Sequence, residues 1–219
     1  MSRDRAWVVA VANTKGGVGK STIAGNLAWT FAMQDNLRRR VLLVDADTQA
    51  SVTKWFDLAD DVPFDRLQLT TARVLQQQIP RLRAQQELII VDCPPMQGDV
   101  TAAALSQADL GLVPVQPSPL DVLGYSELAP LLRQAQVVNP ALKLRFVINQ
   151  LTQNTVLARE VEETLADADI PVLATYIHDR QIYRRVVARG GSVVSESGPA
   201  RDEMLRLAGE ILHALETDE

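Results

Sequence analysis

Short apolar runs alternate with longer helical patterns along this chain. Runs that are almost purely aliphatic are typical of strands buried in a parallel sheet. The predicted strands are Trp7–Val11, Val41–Val44, Leu88–Val91, Leu110–Val115, Leu144–Ile148 and Pro171–Ala174. The predicted helices lie near residues 21–34, 72–86, 98–107, 121–137, 155–168, 180–189 and 200–216. Pro80 is expected to weaken or kink the second helix. The alternation predicts an α/β fold, a mostly parallel sheet with helices on both faces.

The length and composition of the chain are those of an ordinary globular protein. With 219 residues, it has the natural size of one α/β domain, and we expect residues 1–219 to form a single domain. The net charge of −5 argues against a protein coated in positive charge. Any contact with nucleic acid must therefore come from a local basic patch.

The cysteine count and the chain ends exclude several classes of protein. A single cysteine, Cys93, is incompatible with a disulfide framework or with a cysteine-only cluster inside one chain. Residues 1–5 lack the apolar run of a signal peptide, and no stretch is long enough to cross a bilayer. We expect a cytoplasmic protein.

A glycine-rich stretch with the sequence NTKGGVGKST occupies residues 13–22, between the first predicted strand and the first predicted helix. Glycines let backbone N–H groups approach a phosphate closely, and the N-terminus of a helix adds positive potential. Lys20 is expected to reach the terminal phosphates, and the Ser21 hydroxyl to hold Mg²⁺. Thr14 stands where an ordinary phosphate loop has glycine, and Lys15 supplies a second cation. The stretch predicts binding of a nucleoside triphosphate.

Three carboxylates follow predicted strands: Asp45 and Asp47 come after the second, and Asp92 after the third. Open α/β sheets bind ligands at the carboxyl ends of their strands, where the phosphate loop also lies. Hydrolysis of a phosphoanhydride needs Mg²⁺ on oxygen ligands and a positioned water. We predict that Asp92 serves the metal and that Asp45 orients the water. The alternative for each is a structural role, because aspartate often caps the helix after a strand.

Residues 15–22 resemble the deviant Walker A box of the ParA/MinD ATPases, residues 44–51 their second box and residues 91–95 their third. The resemblance continues through residues 102–105, 109, 113–118, 148–150 and 191–196, and so covers nearly the whole chain. Two positions depart from the family pattern: Thr48 replaces the usual proline, and Cys93 replaces a small or β-branched residue. We interpret Cys93 as a small buried hydrophobic residue.

The resemblance implies a P-loop ATPase that uses ATP and Mg²⁺. The implied nucleotide-binding residues are Lys15, Gly16, Gly17, Val18, Gly19, Lys20, Ser21, Thr22 and Asn149. The implied catalytic residues are Lys15, Lys20 and Asp45, and the implied metal site comprises Ser21, Asp45 and Asp92. In this family the lysine at position 15 reaches the phosphates bound by the partner in a homodimer that forms on ATP. Asn149 falls where the family contacts adenine.

The short type of ParA, which lacks an N-terminal DNA-reading module, is the best match, and it implies a partition or positioning ATPase. Such a protein binds duplex DNA non-specifically as an ATP-bound dimer on the nucleoid. A ParB-like protein, or a small centromere or cargo adaptor, then stimulates hydrolysis. The candidate DNA contacts are Arg180, Arg184, Arg185 and Arg189, whose spacing places them on one helix face. The alternative is a solvated face with local ion pairs.

Two other functions on the same scaffold remain open. A MinD-like membrane-site ATPase would need a basic amphipathic C-terminal helix. Here the apolar stripe in residues 201–215 is followed by the sequence ETDE, whose three carboxylates anionic lipids would repel, so we expect the stripe to pack on the sheet and no membrane contact. A metabolic or redox enzyme is the second alternative. An iron protein of the nitrogenase type needs two cysteines per chain, and no marker of a ligase's substrate pocket is visible.

Overall fold

The computed structural model describes residues 6–34, 40–95, 98–152, 161, 163–165 and 168–217, and for 119–126 it describes the backbone alone. The strands are β1 (Trp7–Val11), β2 (Val41–Asp45), β3 (Asp65–Gln68), β4 (Leu88–Asp92), β5 (Leu110–Val115) and β6 (Lys143–Ile148). The helices are α1 (Lys20–Ala32), α2 (Ser51–Phe56), α3 (Ala72–Leu82), α4 (Gly98–Ser106), α5 (Pro119–Val138), α6 (Gln181–Val187) and α7 (Pro199–Glu216).

The six strands form one sheet in the order β3-β2-β4-β1-β5-β6, and all of the pairings are parallel. Every residue of β2, β4 and β5 is buried. This burial explains why their sequences are continuous aliphatic runs, since helices cover both faces of the sheet. The predicted fold class is confirmed.

Alternation along each strand divides the apolar side chains into two cores. On one face, residues such as Ile89 and Phe146 pack under α3, α4 and α5. On the other face, residues such as Ile90 and Leu112 pack under α1, α2 and α7. Packing on both faces therefore fixes the positions of the strands, and with them the residues at their carboxyl ends.

The sequence pattern was wrong about one strand and missed two elements. Residues Pro171–Ala174 form only an isolated bridge through Val172, since proline has no N–H and the Ala174 N–H goes to Glu210 instead. The missed elements are β3, whose four residues are all exposed, and the six-residue α2. In the helix predicted near 155–168, residues 161 and 163–165 are helical, and most of the remainder lies outside the described residues.

The C-terminal helix α7 buries its apolar face in the core of the protein. Met204, Leu207 and Ile211 are completely buried against the sheet, as the sequence predicted, while Leu205 is partly exposed. No helix among the described residues is long and apolar enough to cross a membrane.

Candidate functional site

The loop between β1 and α1 has the backbone of a phosphate cradle. Gly17 and Gly19 have φ angles of 78° and 91°, in the left-handed region that favours glycine. A Cβ at Gly16 or Gly17 would meet nothing within 4 Å, so this side of the loop is open to a ligand. A Cβ at Gly19 would lie 2.1 Å from Asn149 Nδ2. Only glycine can therefore join the cradle to α1 at position 19.

Lys20, the first residue of α1, lies almost completely buried beneath the loop. Its Nζ donates a hydrogen bond of 2.7 Å to the backbone carbonyl of Lys15. Burial lowers the pKa of Lys20, and the negative potential of Asp92, together with Cys93 and Asp47, opposes that shift. Within the described residues no ion pair joins this ammonium group to a carboxylate, which leaves it available to an incoming phosphate.

Asp92, at the end of β4, is completely buried. Neither of its carboxylate oxygens has a hydrogen-bond partner of good geometry among the described residues, although Ser21 lies close enough to influence its pKa. Burial raises the pKa of Asp92 to about 7, and the nearby Asp45 adds to the shift, while Ser21 and Lys20 oppose it. A bound cation would stabilise the ionised form of this buried carboxylate.

Both carboxylate oxygens of Asp45, at the end of β2, accept hydrogen bonds from the protein. One oxygen accepts from the N–H of Asp47 at 3.1 Å, and the other accepts from Thr53 N at 3.0 Å and Thr53 Oγ1 at 2.7 Å. Thr53 is the third residue of α2, so Asp45 satisfies the start of that helix. Asp47 uses one oxygen for the N–H of Gln49. The structural alternative for Asp45 is therefore realised in the fold.

The donor set fits Mg²⁺ better than a metal held wholly by protein. Asp92 is buried and lies close enough to Ser21 and Lys20 for both to influence its pKa. The described residues contain no group of three or more His, Cys, Asp or Glu side chains arranged to hold a metal ion. Mg²⁺ usually keeps several waters and is held through one or two carboxylates together with substrate phosphates.

Three polar side chains that follow β5 and β6 hold the loop from outside, and the sequence singled out only Asn149 among them. Asn149 Nδ2 donates to the Val18 carbonyl at 2.7 Å, which shows it supporting the loop; its expected contact with adenine stays a prediction. Gln150 Nε2 donates to the Gly17 carbonyl at 2.8 Å, and Gln116 Nε2 donates to Gln150 Oε1. Because both glutamines follow strands, the reasoning that selected the aspartates would have found them too.

The four candidate arginines do not form one free basic face. Arg180 precedes α6, and its Nη2 lies 2.6 Å from Oε1 of the buried Glu203 on α7. Arg184 pairs with Asp179, and Arg189, beyond the end of α6, pairs with Glu196. Arg184, Arg185 and Arg189 are exposed. Local ion pairs, the alternative considered from the sequence, therefore engage three of the four.

Cys93 follows Asp92 and is also buried, with 1% of its surface exposed. Burial raises the pKa of its thiol above the usual range, and the neighbouring charge of Asp92 raises it further. Cys93 is an inert packing residue, as the sequence predicted.

Comparison with known proteins gives matches that span the loop and the strand ends described above. A family model described as the CobQ/CobB/MinD/ParA nucleotide binding domain matches residues 9–193, which include the loop and both strand ends. The chain is 30% identical over 218 residues to the maintenance of carboxysome distribution protein A of Halothiobacillus neapolitanus, and the match covers 97% of this chain and 99% of that protein.

Solved structures show the same fold. A complex of McdA with ATP from Cyanothece superposes with a TM-score of 0.77 at 16% identity, and the match covers 99% of each chain. MinD of Aquifex aeolicus gives a TM-score of 0.78 at 19% identity, covering 95% of this chain and 97% of that one. At these identities the likeness establishes the arrangement of strands and helices, and the chemistry depends on the residues described above.

Proposed function

The chain belongs to the CobQ/CobB/MinD/ParA family of nucleotide-binding domains, and on that premise we propose that it is an ATP-driven positioning protein. The resemblance to the ParA/MinD ATPases is confirmed, and the protein is an ATPase of this type that uses ATP and Mg²⁺. The observation that carries the proposal is the end-to-end likeness to a carboxysome distribution protein. A protein compartment is therefore the first class of cargo to test.

The described residues support a division of labour in hydrolysis. The open loop at Gly16 and Gly17, with Lys20 below it, would hold the phosphates. Ser21 and Asp92 would hold Mg²⁺, which neutralises the charge that develops on the phosphoryl group. In this proposal, these residues bind and orient the nucleotide.

The geometry favours Asp47 over Asp45 as the group that orients the attacking water. Two of the three hydrogen bonds to the Asp45 carboxylate come from Thr53 and hold α2 in place, and the third comes from the Asp47 N–H. Asp47 commits one oxygen to the Gln49 N–H and lies close enough to Lys20 to influence its pKa. A direct catalytic role for Asp45 stays a prediction, and its role in placing Asp47 is the one that its contacts support.

In the proposed cycle ATP drives dimerisation. Lys15, on the loop, would reach the phosphates held by a second copy of the chain, and a cation supplied in this way stabilises the charge of phosphoryl transfer. The dimer would bind DNA non-specifically and associate with the nucleoid until a ParB-like or small adaptor protein stimulates hydrolysis. Arg184 and Arg185 are exposed on α6 and are the first DNA contacts to test.

Binding of the purified protein to random-sequence duplex DNA tests this proposal. It should be measured with ATP, with ADP and without nucleotide, over a range of salt concentrations. We expect binding with ATP alone, falling steeply with salt because phosphate contacts release counterions. Absence of binding in every state would contradict nucleoid association and leave an ATPase with another means of positioning.

A matched pair of variants locates the surface. Arg184→Glu with Arg185→Glu should lose DNA binding and keep basal ATP hydrolysis. The control is Arg81→Glu with Arg133→Glu, which changes the charge equally at positions on α3 and α5. Equal losses in the two double variants would indicate a general charge effect and would remove α6 from the DNA-binding surface.

A further inference from the structure

Asn13, the second residue after β1, joins the phosphate loop to the neighbouring strand. It is 7% exposed, and its Nδ2 donates a hydrogen bond of 2.8 Å to the carbonyl of Pro114 in β5. Its Oδ1 accepts the backbone N–H of Lys15 at 2.9 Å. One buried amide therefore connects the backbone of Lys15 to β5, a strand whose residues are all buried.

Both backbone polar groups of Lys15, its N–H and its carbonyl, are hydrogen-bonded. Asn13 holds its N–H, while its carbonyl accepts from Lys20 Nζ at 2.7 Å. A bound nucleotide would compete for the second of these hydrogen bonds but not for the first. Phosphate oxygens compete for the Lys20 ammonium, whereas the amide of Asn13 is buried and has both of its partners inside the protein. When phosphate binds Lys20, the hydrogen bond from Lys20 to the Lys15 carbonyl weakens. The hydrogen bond that Asn13 accepts from the Lys15 N–H remains and still fixes the backbone of Lys15.

We propose that Asn13 is a positioning residue for Lys15. By tying the start of the loop to β5, it fixes the backbone from which the Lys15 side chain extends towards a second copy of the chain. This inference rests on the proposed role of Lys15 in the ATP-bound dimer. It adds that dimerisation depends on a buried amide in the same subunit, whose hydrogen-bond partners are Pro114 and Lys15 of that subunit.

The test separates binding of the nucleotide from dimerisation. Asn13→Ala removes both hydrogen bonds and leaves the loop glycines, Lys20 and Ser21 unchanged. We expect its affinity for a non-hydrolysable ATP analogue to stay within about threefold of wild type, since those contacts remain. The dissociation constant of the analogue-bound dimer, measured by sedimentation, should rise at least about tenfold, because a loosened cation is misplaced for its phosphate.

A conservative variant and a matched control complete the design. Asn13→Ser keeps an acceptor for the Lys15 N–H but is too short to reach Pro114, so its dimer constant should lie between those of wild type and Asn13→Ala. If Asn13→Ala does not fold, Asn13→Ser decides, and a wild-type constant overturns the proposal. Asn139→Ala removes a comparable amide, bonded to the Ala108 carbonyl at 2.7 Å far from the loop, and should dimerise normally.

The outcomes are distinguishable. If wild type itself does not dimerise with the analogue, both the proposed function and this inference fail. If wild type dimerises and Asn13→Ala does so equally well, the inference alone fails. If affinity for the analogue and dimerisation fall in Asn13→Ala by the same factor, Asn13 merely shapes the phosphate loop, and the inference is again overturned.

Discussion

The ends of β2 and β4 carry the same residue type in register and give it opposite surroundings. Asp45 and Asp92 are partners across the two strands. Asp45 accepts three hydrogen bonds and holds the start of α2. Asp92 is buried without a hydrogen-bond partner of good geometry in the described part of the chain. The first carboxylate is therefore part of the folded structure, whereas the second has the surroundings that the proposed Mg²⁺ site requires.

This difference arises from the segment that comes after each strand. After β2 the chain turns into α2 within a few residues, and the first N–H groups of that helix need an acceptor, which Asp45 supplies. After β4 the chain continues into Cys93 and Pro94, and the Cys93 N–H goes to the Val11 carbonyl. Since proline has no N–H, neither of these two residues has a backbone donor left for Asp92. Of the two neighbouring aspartates, Asp45 is therefore bound into the fold and Asp92 is left for the proposed metal site.

Asp45→Ala should produce the largest loss of stability. It leaves two N–H groups and the Thr53 hydroxyl without their acceptor, and we expect the free energy of unfolding to fall by about 4 kcal/mol, since hydrogen bonds to charged groups are strong. Denaturant unfolding of the nucleotide-free protein measures this. Thr53→Val, which removes only the hydroxyl, should lose about 1 kcal/mol. A loss below that in Asp45→Ala would show that Asp45 does not hold α2.

Asp92→Asn should have the opposite effect, because it removes a buried charge without changing the shape of the side chain. The pKa of Asp92 is raised from 3.8 to about 7, so folded protein binds a proton that unfolded protein has released between these values. Stability of wild type therefore falls as pH rises through that window and stays low above it. At pH 8 we expect the variant to be more stable than wild type by about 4 kcal/mol.

The pH dependence provides the check on that prediction. At pH 5, where Asp92 is protonated in the folded protein, the advantage of Asp92→Asn should shrink to about 1–2 kcal/mol. Denaturant unfolding of both proteins at the two pH values measures the difference. Mg²⁺ with ATP should raise the melting temperature of wild type more than that of the variant. An advantage that is equal at both pH values would mean that ionised Asp92 has a partner and is not poised for a cation.

Sequence predicts the strand ends well but cannot tell these two aspartates apart. The bounds of β1 and β5 agree with the aliphatic runs, because strands buried on both faces leave a continuous apolar signal. The exposed edge strand β3 and the short α2 leave no such signal. Because α2 was not predicted, the need of its first turn for a hydrogen-bond acceptor was not predicted either. Asp45 has its structural role because it accepts the N–H of Thr53 in that turn.

The backbone between Asp45 and α2 offers the smallest and finest test of the comparison. Ala50, the N-cap of α2, has a φ of 53°, a left-handed conformation that costs an alanine about 1 kcal/mol more than a glycine. Glycine also gains freedom in the unfolded chain, so Ala50→Gly should be stabilising by a net of about 0.5 kcal/mol. Ala102→Gly, inside α4, should instead lose about 1 kcal/mol. Denaturant unfolding compares the two. If Ala50→Gly lowered the free energy of unfolding as much as Ala102→Gly does, the turn after β2 would be unstrained. The hydrogen bonds of Asp45 would then not have to hold a strained turn in place.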